Sequence, residues 1–157
     1  MNNHPGVGDA MPDIPMETPD GSEVKCSDFA GRKLVIFFYP KDDTPGCTTE
    51  NIDFSLLYDD FTRAGAALLG VSKDPPARHQ KFTAKHDLKV PLASDAMDGG
   101  LSDKLGIWTE KQNYGRTYMG MVRTTYLVGA DGRIARVWDK VKVKGHAAEV
   151  LEAAKAL

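Results

Sequence analysis

Cysteine is scarce in this chain, long apolar runs are missing, and there is no surplus of positive charge. Only Cys26 and Cys47 occur among 157 residues. They form no close-spaced pair, which excludes a disulfide framework, a cysteine zinc site and a Cys-x-x-Cys redox pair. Such sparing use of cysteine fits a reducing cytoplasm. No apolar stretch approaches the ~20 residues of a membrane-spanning helix. Met1 to Asp20 lacks the basic-then-apolar order of a secretion signal. With 20 basic and 22 acidic side chains and a net charge of −2, neither nucleic acid nor an anionic membrane is an expected partner. His4, His79, His86 and His146 show no metal-ligand spacing with one another or with cysteine. No glycine-rich nucleotide loop follows a strand. No metal and no cofactor are therefore expected.

The length suits one domain, residues 1–157, and the hydrophobic fraction of 41% is enough for a real core. Residues 1–12 read as an extended surface arm. Thr18-Pro19-Asp20-Gly21-Ser22 is a turn between two short strands, Ile14–Glu17 and Glu23–Lys25. Ser27 to Gly31 suits a short helical turn. Leu34-Val-Ile-Phe-Phe-Tyr39 is a buried strand, closed by Pro40, which cannot donate to a sheet ladder. Phe54, Leu57, Phe61 and Ala64 repeat at helical spacing, predicting a helix over 45–63 capped near Gly65. A strand at Ala66–Ser72 follows. A helix then opens at Pro75-Pro76, with Asp74 as its cap, and runs to about His86. A short strand at Val90–Ala93 and a short helix at Gly99–Leu105 come next. Ile107-Trp108 and Tyr114–Met119 are ambiguous. Met121–Val128 and Arg133–Asp139 form a hairpin around Gly129-Ala130-Asp131-Gly132. A last helix starts near Gly145, with Ala147, Val150, Leu151 and Ala154 on one face. This order predicts an α/β, thioredoxin-like fold: a short N-terminal hairpin, then a central mixed sheet with helices on both faces.

The chemistry concentrates where the Leu34–Tyr39 strand ends. Thr44 can cap a helix with Pro45 at its first position. Cys47 then falls in the first turn, where free N–H groups and the positive helix end favour a thiolate. The alternative is a small buried cysteine at a helix start.

Pro40-x-x-x-Thr44-x-x-Cys47 resembles the active-site signature of peroxiredoxins. The longer string Tyr39-Pro-Lys-Asp-Asp-Thr-Pro-Gly-Cys-Thr-Thr-Glu50 is similar to the PrxQ, or bacterioferritin comigratory protein, branch. The resemblance covers the chain from about Val7 to the C-terminus. It implies that Cys47 is the peroxidatic cysteine and that Thr44 and Arg123 orient the peroxide and activate the sulfur. Arg123 is carried over from the segment Arg123-Thr-Thr-Tyr-Leu-Val. Taken alone it reads as a surface arginine, though a strand antiparallel to Leu34–Tyr39 would start it beside Cys47. Pro40 would shield the sulfur. Glu50 would either hold Arg123 or simply favour the helix N-terminus, while Thr44 can combine capping with a bond to sulfur or peroxide.

The implied activity is a thiol-dependent peroxidase that reduces hydrogen peroxide and organic hydroperoxides through a Cys47 sulfenic acid. The position five residues after Cys47, where many PrxQ members carry a resolving cysteine, is Ile52, and Asp95–Leu105 holds no cysteine either. Cys26 precedes a strand whose far end leads to Cys47. Those ends lie roughly 20 Å apart at about 3.3 Å per residue, against the ~7 Å limit for bridged Cα atoms. The expectation is a one-cysteine mechanism in which an external thiol (thioredoxin, glutaredoxin or glutathione) reduces the sulfenate and Cys26 is a small core residue. A monomer or weak homodimer is expected. The competing readings are a peroxide-sensing switch and a thioredoxin-type reductase; the latter is weakened because Thr44 stands where its second thiol is needed.

Several further signals read as ordinary structure. His79 and His86, seven apart on one helix, suggest a solvated face. Asp42-Asp43 and Asp59-Asp60 read as solvated pairs. Trp108 and Trp138 suit core or hairpin packing. Phe38, Tyr39 and Trp108 are candidates for a peroxide entrance.

Overall fold

The computed structural model describes residues 4–157; residues 1–3 of the expected arm lie outside the described residues. Nine strands and five helices follow in chain order among them. These are β1 (Met16–Glu17), β2 (Glu23–Val24), β3 (Lys33–Phe38), α1 (Pro45–Leu56), α2 (Tyr58–Arg63), β4 (Ala66–Ser72), α3 (Pro76–His86) and β5 (Leu92–Ser94). Then come α4 (Leu101–Lys104), β6 (Trp108–Asn113), β7 (Arg116–Met121), β8 (Thr124–Val128), β9 (Ile134–Trp138) and α5 (His146–Ala156). Cys26–Phe29 forms a 3-10 turn.

Seven strands make one mixed sheet in the order β2-β1-β5-β4-β3-β8-β9. β3 lies at its centre, parallel to β4 and antiparallel to β8. That position explains its composition: a strand covered on both faces reads as a continuous apolar run. Val35, Phe37 and Tyr39 point to one core, shared with Phe54 of α1, Phe61 of α2, Phe82 of α3 and Val150 and Ala154 of α5. Leu34, Ile36 and Phe38 point to the other, shared with Met11, Met16, Cys26, Leu101 and Met121. The sheet therefore has helices on both faces, four on the first and the short α4 on the second. Phe37 and Phe54 stack at 4.3 Å. Each such buried ring contributes about 1.5–3 kcal/mol, and the pair ties α1 to the central strand.

Backbone bonds from Gly8 to Ile134 and from Met11 to Gly132 lay the N-terminal segment along β9. Some boundaries differ from those the sequence predicts. The helix expected over 45–63 breaks at Leu57, separating α1, which packs on α5, from α2, which packs on β4 and α5. Asp74 does not cap α3. Pro75 takes the cap position, and the Asp74 carboxylate instead accepts from the Ser72 hydroxyl and pairs with Arg78. The ambiguous Trp108 and Tyr114–Met119 fall in a two-stranded hairpin, β6–β7, turned at Tyr114-Gly115, both with positive φ, which also takes Met121 from the strand expected at Met121–Val128.

Candidate active site

Cys47 sits where the chain leaves β3 and enters α1, the third residue of that helix. Thr44 holds the N-cap position in extended conformation, but its side chain makes no cap bond. Its hydroxyl donates instead to the Lys41 carbonyl at 2.8 Å, closing the loop on itself. With its proton committed there, the Thr44 oxygen can only accept from a further partner. Cys47 is 1% exposed. Its own carbonyl accepts from the Asn51 side-chain amide at 2.9 Å, which stiffens the first turn.

Arg123 does not begin β8, as the sequence reading had it. It lies in the link between β7 and β8, because the β6–β7 hairpin takes Met121. The antiparallel pairing of Thr124 with Phe38 still sets Arg123 beside the end of β3. Its Nη2 donates to the Cys47 sulfur at 3.4 Å and its Nη1 to Glu50 Oε1 at 2.7 Å. Glu50 thus holds the guanidinium, the first of its two readings. Gly46 makes this approach possible: a Cβ there would lie 3.1 Å from Arg123 Nη2. Nothing in the motif's local pattern announces that close passage at Gly46.

Glu50 is 1% exposed, and only one of its oxygens is paired. Burial pushes its carboxyl up to about 7, against the opposing pull of Arg123. Burial works to lower the Arg123 value, but Glu50 and the Cys47 sulfur outweigh it, so the guanidinium is held charged more firmly than usual. The result is a fixed positive fork touching the sulfur. It is aimed where negative charge resides on a thiolate and where it develops on an oxygen leaving that sulfur. Pro40 follows β3 half-buried, and Lys41 is exposed.

Three expectations are corrected here. His79 is not on a solvated face: it is fully buried, with Nδ1 2.6 Å from Asp42 Oδ2 and Nε2 3.0 Å from the Ala93 carbonyl. Asp42 is likewise buried, whereas its neighbour Asp43 is exposed and pairs with Lys85 and His86. Tyr39 and Phe38 line no entrance. Both are fully buried in different cores, and Trp108 packs against the second core under the Lys73 ammonium.

Cys26 lies in the second core, across the sheet from Cys47. Burial first, then Asp13 and Asp28, push its thiol up to about 12. Among the described residues, no group of three or more His, Cys, Asp or Glu is placed to hold a metal ion.

A buried cysteine on a helix N-terminus, an arginine against its sulfur and a thioredoxin-like sheet around them define a thiol-redox protein, and the chain belongs to the AhpC/TSA family, whose model matches residues 7–137. Within that family it falls with the peroxiredoxins of the PrxQ, or Bcp, branch. It is 42% identical over 149 residues to peroxiredoxin Bcp of Bacillus subtilis, covering 95% of this chain and 94% of that one. A solved cysteine-to-serine variant of Xylella fastidiosa PrxQ matches at a TM-score of 0.91 and 38% identity, covering 99% of this chain and 98% of the other. The bacterioferritin comigratory protein of Xanthomonas campestris matches at a TM-score of 0.86 and 41% identity, covering 94% and 98%.

Proposed function

We propose that this chain is a thiol-dependent peroxidase that reduces hydrogen peroxide and small organic hydroperoxides through Cys47, in antioxidant defence. The observation that carries the reading is the Arg123 fork, which touches the sulfur and is itself held by a buried carboxylate. The Cys47 thiolate attacks one peroxide oxygen. The S–O bond forms as the O–O bond breaks, leaving a sulfenic acid, and the departing oxygen takes a proton and leaves as water or alcohol. Arg123 stabilises charge on sulfur and leaving oxygen, and the Thr44 oxygen accepts from the peroxide O–H. The Xanthomonas campestris relative, for which alkyl peroxide reduction is described from trapped-intermediate and ligand complexes, supports organic hydroperoxides as substrates.

The second half of the cycle uses an external thiol, such as thioredoxin, glutaredoxin or glutathione. A first thiol condenses with the sulfenic acid to a mixed disulfide and water. A second thiolate attacks that disulfide, returning Cys47 and leaving an external disulfide. The separation of Cys26 from Cys47 by the central sheet supports this one-cysteine route. All the residues named in the first step come from one chain, which suits a monomer or weak homodimer. No helix among the described residues is long and apolar enough to cross a membrane, and both cysteines are free, in keeping with a cytoplasmic setting.

The test is peroxide consumption in the presence of a thiol system. Wild type is expected to turn over many equivalents and Cys47→Ser none. A wild type that consumes a single equivalent and stops would instead be a peroxide-sensing switch.

A further inference from the structure

Helix α3 grips the loop that leads to Cys47. Arg78 Nη2 reaches the Asp42 carbonyl at 3.4 Å, and Lys85 and His86 reach Asp43 at 2.7 and 3.0 Å. Asp43 itself has φ 61, a left-handed conformation uncommon for aspartate. The outer Asp43 pairs are solvent-exposed and individually weak, and the long Arg78 contact is only partly buried. The inner one is different, because His79 and Asp42 are 0% and 1% exposed.

Their protons can be counted. The Ala93 carbonyl only accepts, so His79 Nε2 must carry a proton to bond it at 3.0 Å. Asp42 Oδ1 is occupied by the Tyr39 hydroxyl at 2.6 Å. Burial, then Asp42, raise that phenol well above its ordinary range, so it stays a donor. Asp42 Oδ2 stands 2.6 Å from His79 Nδ1. A neutral imidazole protonated at Nε2 would set its Nδ1 lone pair against a carboxylate lone pair, so a second proton must lie between them. Further polar groups around the pair are the Asp74 carboxylate, which accepts the Asp42 N–H at 2.8 Å, Arg78, which neutralises Asp74, and the Ser72 hydroxyl, which donates to Asp74 at 2.7 Å and also lies against the Tyr39 hydroxyl. Phe82 and the Tyr39 ring complete the apolar wall.

We propose that His79, with protons on both ring nitrogens, is a positioning residue for Cys47: it pins Asp42 and so fixes the loop over 41–44 from which α1 starts. The proposal rests on the peroxidase reading for its kinetic test and on nothing but the geometry for its spectroscopic one. Thr44 immediately precedes α1, and Cys47 is two residues past Pro45. A loop released from α3 therefore shifts the sulfur relative to Arg123, and displacements of about 1 Å at a reacting centre cost up to about 100-fold in rate.

The test pairs two measurements on the full chain. In nitrogen-15 histidine spectra at pH 7.5, both His79 nitrogens are expected to show protonated-type shifts, with a far-downfield Nδ1 proton. An unprotonated Nδ1 signal would overturn the proposal. In stopped-flow oxidation of Cys47 by hydrogen peroxide, His79→Leu is expected to be at least about tenfold slower. Asp42→Asn can donate its amide to a neutral His79 and still accept from Tyr39, so it should stay within about threefold of wild type. A wild-type rate in His79→Leu, or an Asp42→Asn variant as slow as His79→Leu, would also overturn it. If His79→Leu does not fold, Asp42→Asn and the spectrum decide. A wild type that fails to react with peroxide removes the peroxidase reading and leaves the proton count to the spectrum.

Discussion

At the scale of single residues, the site is a buried ion pair turned on a sulfur. Glu50 has only Arg123 to offset its burial, and that imbalance gives it a titration in the working range. Its folded value is raised, from 4.5 to about 7. The folded state therefore binds the proton more readily than the unfolded one. Its contribution to stability is full below about pH 4.5 and is lost as pH rises through 7. Activity runs the other way, since the ionised carboxylate is the form that holds Arg123. Between pH 5 and 8 wild-type peroxidase rate should rise with a limb near 7. In Glu50→Gln that limb should vanish and the neutral-pH rate should fall about tenfold; stopped-flow oxidation across this range checks it, and an unaltered limb in the variant would remove Glu50 from the account. Cys47 and Glu50 were legible because a long motif fixes their identity, and Arg123 only through the resemblance of a second segment, Arg123-Thr-Thr-Tyr-Leu-Val. His79 was not, because seven-residue spacing on a mostly polar helix says nothing about which turn faces the sheet.

The elements translate that chemistry into geometry. β3 ends, the loop reverses and α1 begins within Tyr39–Pro45, and each turn there has a particular cause. Asp43 at φ 61 throws neighbouring carboxylates apart, one into the core and one into solvent, so an adjacent acidic pair that reads as solvated is split between two environments. Gly46 lets Arg123 cross the first helical turn. Gly46→Ala should push Nη2 away by a few tenths of an ångström from its 3.1 Å approach. The expected result is peroxide reactivity lower by about tenfold, with thermal stability changed by less than a few degrees, measured by stopped flow and calorimetry. Equal rates in variant and wild type would show that the guanidinium does not need that path. The β6–β7 hairpin escaped the sequence for another reason. Its turn uses Tyr114-Gly115 rather than Asn-Gly, and much of it, such as Arg116–Met119, is exposed, so little period-two alternation marks it.

At the scale of the whole molecule, the sheet is a partition. Alternate side chains of β3 feed two separate cores, and the two cysteines are buried one in each. The buried central strand was plain in the sequence as a continuous apolar run, as was the order of strands and helices that makes the sheet. Which core each cysteine joins was not, because Cys26 lies outside any periodic element. On the proposed one-cysteine reading, the partition means that a Cys26–Cys47 bridge would need large unfolding or a second subunit, and an external thiol is the expected reductant. The most direct test is intact mass after one equivalent of hydrogen peroxide with a sulfenic-acid trap present, on wild type and Cys47→Ser. The account predicts one trap adduct on wild type, none on the variant, and no loss of two hydrogens. A two-hydrogen loss in wild type, mapped to a Cys26–Cys47 peptide, would contradict it.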